Sequence, residues 1–334
     1  MSALGRSVDA VLEATVVGSF SRVGYDVRSR LGHWQGPARL DGRTVLVTGA
    51  TSGIGLAAAR RFARLGASVR LLARDEARAE HARRLVQGAG NDVDVSYGIA
   101  DLSDFDALRR FAARFAAENP RLDVLVHNAG ALSRGFHQAP DGTELTVATQ
   151  VLGPFLLTGL LLTQLQHAAP GRVIAVSSGG MYTQRFDLSA LEMTRDHYDG
   201  AVAYARAKRA QVVLNREWAL RLPRGEVVFH AMHPGWADTP GVASSLPAFH
   251  RLMRPLLRTP DQAADSVVWL ASAPEALACT GLFWHDRRPR SDHRVPWTRG
   301  GDPAAALWDL CTARTGWGLT AGAAPGAAPG VPSR

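Results

Sequence analysis

The chain has 334 residues, of which 46% are hydrophobic and 20% charged, and a formal net charge of +8. That balance excludes a disordered polymer, and the length admits one large α/β domain or two small ones. The charge admits a nucleic-acid partner, but the arginines are scattered through helical segments such as RRFARLGASVR with no aromatic-interleaved basic strip, so a solvated arginine-rich surface and no nucleic-acid partner are expected.

Residues 1–41 read as an N-terminal extension that ends in the turn-rich run GHWQGPARLDG. Its apolar stretch, residues 8–20, is interrupted by Asp9, Glu13 and Gly18 and is too short and polar to span a bilayer. An amphipathic helix against the protein body is expected there, with peripheral membrane contact left open. From Arg43, β-branched runs alternate with longer Ala/Leu/Arg segments of helical spacing. TVLVTG (44–49) is a strand, 54–65 a helix, SVRLLA (68–73) a strand, 76–87 a helix and VDVSYG (93–98) a strand. A helix over 103–118, the strand LDVLVHNAG (122–130), a long apolar helix over 145–167 and the strand RVIAVSS (172–178) follow. A helix over 202–222, the strand 226–235, a helix over 260–271 and a last strand near GLFWH complete the body.

Strands separated by helices imply parallel pairing with right-handed crossovers. The expected fold is α/β: a single-domain, doubly wound Rossmann fold with a mostly parallel sheet and helices on both faces, over residues 42–290. Residues 291–317 form a C-terminal extension, and the Gly/Ala/Pro tail 318–334 is expected to be disordered. Cys279 and Cys311 match neither a metal-binding spacing nor a disulfide framework, which points to a reduced, cytoplasmic protein without a metal. The apolar, proline-containing segment 236–259 follows a strand's carboxyl end, where open α/β sheets place their ligands. It fits either a hydrophobic pocket wall or a lid packed on the body.

The loop TGATSGIG (48–55) joins the first strand to the first helix. Glycines there let backbone approach a pyrophosphate, and the helix N-terminus offers free N–H groups and a positive dipole end. A second signal is the basic census: of 38 Lys plus Arg, one is lysine, Lys208. Lysine is a compact three-way donor where guanidinium is a planar fork, so a chain this rich in arginine retains lysine where the fork does not serve. Lys208 stands four residues after Tyr204, on the same helix face. An ammonium beside a phenol favours the phenolate, and a tyrosine so placed can exchange a proton with a carbonyl or alcohol oxygen.

The TGxxxGxG spacing and YxxxK run resemble the short-chain dehydrogenase/reductase family. Asn128-Ala129-Gly130, Asp101-Leu102 and the Pro234-Gly235 pair with Thr239 match further motifs of that family, and the resemblance covers about residues 43–284. SSGGMYTQRF, YDGAVAYARAKRAQVVL, MHPGWADTPGV and WHDRRPR resemble its member-twelve branch in particular. The resemblance implies a nicotinamide cofactor held by Gly49, Ser52, Gly53, Ile54, Gly55, Asp101, Leu102, Asn128, Ala129, Gly130, Pro234, Gly235 and Thr239. It makes Tyr204 the acid/base, Lys208 the holder of the nicotinamide ribose, and Ser178, the second of two serines, the donor to the substrate oxygen. Aligned by the family's spacing, the acidic position that would hold a 2′-hydroxyl is Ala73, and Arg74 follows it. NADP(H) is therefore favoured over NAD(H), although Arg74 also reads as an ordinary exposed arginine beside Asp75. Gln150 stands where the family's relay asparagine is usual, with its amide on a longer arm. Tyr182 and Trp236 are candidate substrate contacts, with loop packing the alternative for Tyr182.

The function expected is hydride transfer between NADP(H) and an apolar ketone, aldehyde or alcohol. The alternative is a low-turnover NADP(H)-binding sensor or scaffold, suggested by the Gln150 departure. Homo-oligomers in this family often pair through helices like 145–167 and 202–222, but the same apolar pattern suits burial within one chain.

Overall fold

A computed structural model of the chain describes residues 3–319. Three helices open it: α1 (Ala3–Ala14), α2 (Val16–Phe20) and α3 (Arg22–Leu31). The body then alternates as expected: β1 (Thr44–Thr48), α4 (Gly53–Arg64), β2 (Ser68–Ala73), α5 (Glu76–Gln87), β3 (Val95–Ile99), α6 (Phe105–Glu118) and β4 (Val124–His127). Short polar side chains start two of these helices by accepting orphan backbone N–H groups: Asp75 caps α5 and Asp104 caps α6. The Asp75 carboxylate is thus engaged by the Arg78 N–H rather than paired with Arg74.

The expected single helix over 145–167 is instead α7 (Leu145–Val147), a π turn (Ala148–Leu152), α8 (Gly153–Leu160) and α9 (Leu162–Gln166). Pro154 has no N–H to continue the ladder, so the segment breaks in its first half. Next come β5 (Gly171–Val176), a 3₁₀ turn (Gly179–Thr183) and α10 (Gly200–Arg221), which is capped by Asp199. After β6 (Val227–Met232), the apolar segment 236–259 holds two short helices, α11 (Pro240–Ser245) and α12 (Pro247–Met253). Then follow α13 (Pro260–Ser272), β7 (Leu282–His285), the two-residue β8 (Arg288–Pro289) and α14 (Ala304–Thr315).

The strands form one sheet in the order β3-β2-β1-β4-β5-β6-β7-β8, parallel throughout except for the β7–β8 pair. Side chains alternate across it. Leu46, Leu125 and Val173 join the core beneath α6, α8 and α10, while Val45, Val47, Val124 and Ile174 join the core beneath α4 and α13. Chain order reverses between β1 and β4, which opens a crevice at the strands' carboxyl ends.

Both flanking segments are built into this body. Asp286, fully buried, is shared by Arg258 at 2.6 Å and Arg28 at 2.8 Å, and Arg28 also meets Asp9 and Glu13. Residues 3–31 are therefore ionically joined to the β7–β8 corner. The expected solvated arginine surface is accordingly incomplete, since Arg28, Arg209 and Arg258 lie inside the protein. At the other end, α14 lies on α10, where Trp308 and Trp317 pack around Phe155 and Trp218. This cap covers apolar surface of the two segments considered as dimer faces. Of the tail, residues 320–334 lie outside the described residues. No helix among the described residues is long and apolar enough to cross a membrane.

Candidate active site

A cavity of about 590 Å³ occupies the crevice at the sheet's carboxyl edge. Its floor is the β1–α4 loop. Gly49 has φ of +64° and sits so close to Ala129 that a Cβ would lie 2.7 Å from the Ala129 Cα. Asn128 Nδ2 donates to the carbonyls of Thr48 and Gly49, while Thr48 Oγ1 accepts from the N–H groups of Asn128 and Ala129. The TGATSGIG and NAG runs thereby form one rigid cradle. Ser52, Gly53 and Ile54 line it at the start of α4, but Gly55 does not. A Cβ on Gly55 would collide with Asn128, so this glycine serves close packing instead.

Asp101, Leu102, Asn128, Ala129, Gly130, Pro234, Gly235 and Thr239 all line the same cavity. Asp101 Oδ1 is occupied by the N–H and hydroxyl of Ser103, which fixes the turn after β3. Thr239 caps α11, and its methyl group faces Gly53, so the lid starts against the glycine loop. Arg74, exposed at the end of β2, lines the cavity rim together with Arg78 on α5. Arg78 carries the same charge signal but lies one helical turn beyond the position that spacing singles out.

Ser178, Tyr204 and Lys208 converge on the cavity from β5 and α10. Ser177 Oγ donates to the Lys208 carbonyl, whereas Ser178 lines the cavity beside Tyr204 and opposes the rise of its phenol. The electrostatics differ from expectation. Burial raises the Tyr204 phenol above its ordinary value, Ser178 only partly opposing it, and the ammonium of Lys208 lies 5.5 Å from the ring centre. Burial also pushes Lys208 down to about 7, because its Nζ is enclosed with only neutral acceptors, Val176 O at 2.8 Å and Gln211 Oε1 at 3.0 Å.

Two expected residues are not on the cavity lining. Gln150 is buried in the π turn; its Nε2 donates to Ala131 O, its Oε1 is without a partner, and Thr149 takes the place on the cavity wall. Tyr182 is turned away from the cavity. Its hydroxyl donates to Ser291 O and its ring stacks on Phe20, which makes it a packing residue. Trp236 does line the cavity, with Val242, Leu246 and Phe249 from the lid, but Leu252 points to solvent with 79% exposure.

Residues that sequence reasoning missed stand behind this wall. His233 is buried at the cavity edge with both ring nitrogens unpartnered, and burial holds it neutral, well below the usual imidazole value. Phe20 of α2 meets its ring edge-on at 4.2 Å, and the N–H of Trp236 donates to Phe20 O at 2.8 Å. No periodicity links residues 20 and 233; only the folded chain brings them together.

A glycine cradle at the switch point of a doubly wound sheet, opening on a Ser–Tyr–Lys cluster, defines a dinucleotide-binding α/β oxidoreductase site. The chain belongs to the short-chain dehydrogenase/reductase family: the short chain dehydrogenase family model matches residues 43–248. It is 41% identical over 268 residues to human dehydrogenase/reductase SDR family member 12, covering 80% of this chain and 83% of the relative. Human retinol dehydrogenase 14 is 33% identical over 302 residues, covering 84% and 88%. Among solved structures, a short chain dehydrogenase from Shigella flexneri complexed with NADP aligns with a TM-score of 0.62 at 26% identity, over 76% of this chain and all of that one.

Proposed function

We propose that this protein is an NADP(H)-dependent reductase or dehydrogenase of an apolar carbonyl or alcohol. The observation that carries the reading is the meeting of Ser178, Tyr204 and Lys208 with the glycine cradle around one cavity. The cradle fits a dinucleotide: Gly49 and Gly53 at positive φ bring backbone against the cavity, and the α4 N-terminus faces it. Gly49, Ser52, Gly53, Ile54, Asp101, Leu102, Asn128, Ala129, Gly130, Pro234, Gly235 and Thr239 would hold the cofactor, with Gly55 supporting the cradle from behind. Arg74, joined by Arg78, would take the 2′-phosphate as a guanidinium pair. The bound nicotinamide supplies or accepts the hydride.

The chain's own residues handle the proton. A phenol raised by burial stays protonated near neutrality, so Tyr204 is an acid ready to protonate a carbonyl oxygen, and its phenolate takes the proton back from an alcohol. Ser178 donates a hydrogen bond to that oxygen as charge develops. Lys208 keeps a donor for the cofactor ribose and the phenolate, which a flat guanidinium in that space would not supply. Trp236, Val242, Leu246 and Phe249 form an apolar wall for the substrate, and a relative named for retinol is consistent with that class.

NADPH consumption across a panel of apolar ketones and aldehydes, with wild type beside Tyr204→Phe, tests the reading. Turnover falling by about 10²-fold or more in the variant is the expected result, from the usual weight of a general acid. Equal rates would sink the mechanism. Tight NADPH binding without turnover on any carbonyl would instead favour a sensor or scaffold, a reading to which the place of Gln150 behind the cavity lining lends support.

A further inference from the structure

Lys208 is 2% exposed and Gln211, one helical turn later on α10, is 5% exposed. The Lys208 ammonium donates to Gln211 Oε1 at 3.0 Å, and Gln211 Nε2 donates to the backbone carbonyl of Gln150 at 2.6 Å. Behind Gln211 lies a second cavity of about 30 Å³, room for roughly one water. Its polar lining comes from His127, Thr158, Gln211 and Asn215. We propose that Gln211 is the positioning residue for Lys208: its amide bridges the ammonium to the π turn and seals the lysine from the internal cavity.

Three facts support the bridge. First, an ammonium has three donors. Val176 O and Gln211 Oε1 take two of them, which leaves one for the site. Second, both hydrogen-bonding ends of the amide are used, so the side chain has one setting; a water there would reorient and carry protons. Third, the π turn presents the Gln150 carbonyl to Gln211 while the Gln150 side chain turns to Ala131.

The titratable groups facing Lys208 are few. Tyr204 lies on its own helix, and His127 of β4 is held neutral, pushed by burial down to about 3. The other elements packed on α10 bring Tyr182 from the 3₁₀ turn, Arg172 from β5, His230 from β6, His285 from β7, and Asp309, Cys311 and Arg314 from α14. Burial alone displaces Lys208, with no contribution from a carboxylate. Its charge state is therefore set by desolvation and by the two neutral acceptors. The service of Lys208 to a cofactor rests on the reading above, whereas the bridge does not.

Because the chain has one lysine, lysine labelled with ¹³C at the ε-carbon gives a single side-chain signal, that of Lys208. Its titration by NMR, in full-length protein without cofactor or substrate, reads the bridge directly. Gln211→Leu removes an acceptor that favours the charged form, and the midpoint should fall by about one pH unit. Gln211→Glu supplies a carboxylate at the same place, and the midpoint should rise by about one to three pH units. Wild-type titration in both variants overturns the proposal. Should Gln211→Leu fail to fold, an unmoved midpoint in Gln211→Glu overturns it alone. The signal needs no turnover, so a failed substrate screen leaves this result readable.

Discussion

The ammonium of Lys208 lies 5.5 Å from the ring centre of Tyr204 and gives two of its hydrogen bonds to protein acceptors behind it. Sequence spacing alone placed the two side by side with the lysine as the phenol's acidifier. Burial of both groups reverses the balance, raising the phenol and depressing the ammonium.

This arrangement couples stability to pH. The folded chain holds Lys208 at about 7, while an unfolded lysine titrates near 10.4. Between those values the unfolded state binds the extra proton, so stability rises with pH by at most about 1.4 kcal/mol per pH unit from this group. Denaturant unfolding of wild type and Lys208→Met at pH 7 and pH 9 should show the gain in wild type alone. A difference between the two proteins that does not change with pH would contradict the burial assigned to Lys208.

Arg74 and Arg78 share the cavity rim. Charge-assisted hydrogen bonds contribute about 1.5–3 kcal/mol each. Exposure reduces this, so Arg74→Ala should weaken NADPH binding by roughly tenfold and the double variant by more. NADH binding should change little in either. Fluorescence titration with the two dinucleotides distinguishes this from a general loss of the site, which would weaken both equally.

Phe20 is the N-terminal segment's contribution to the site. Its ring meets His233, Trp236 and His285 edge-on and stacks on Tyr182. Phe20→Ala should cost about 3–5 kcal/mol by cavity formation. It should also raise the KM for apolar substrates more than that for cofactor, since Trp236 loses its backing. Unchanged unfolding midpoints would show that the segment is not packed as described.

Asp286 neutralises two buried guanidinium groups. Asp286→Asn leaves the buried Arg258 without a carboxylate and Arg28 with Asp9 and Glu13 alone, and should destabilise the fold by about 3–5 kcal/mol. Its carboxyl is held far below the usual carboxylate range by Arg258 and Arg28 against the cost of burial, and Arg290 with Arg28 brings Asp9 down to about 2. Stability from both is present above pH 4 and is lost as the pH falls through the folded values. Acid unfolding of the variant should therefore show a shallower dependence between pH 4 and pH 2 than wild type.

Much of the cofactor end was legible because its signals are local. TGATSGIG names its own strand–turn–helix context, and Tyr204 and Lys208 are neighbours on one helix. The chemical end was legible only in part. The π turn that holds Gln150 behind the cavity lining leaves no periodic mark distinct from an apolar helix, and the segment's Pro154 is ambiguous between a kink and a stop. Tyr182 lies four residues from Ser178, yet the 3₁₀ turn between them directs its ring onto Phe20 behind the cavity wall. Phe20, His233 and Gln211 act through contacts with distant segments, which no motif records. The division of residues 1–41 from the body followed a change in composition, but ion pairs crossing the division had no sequence signature.

The Arg28–Asp286 pair has a consequence for the order in which the protein is made. The partners stand 258 residues apart, so at ordinary rates of synthesis roughly ten to fifty seconds separate their emergence from the ribosome. During that interval Arg28 has only Asp9 and Glu13 to meet, and Phe20 has neither the Trp236 N–H nor the Arg258 guanidinium to receive. Helices α1 to α3 thus find their seat only after the β7–β8 corner is made, and the wall behind the active site closes only when the end of the sheet arrives.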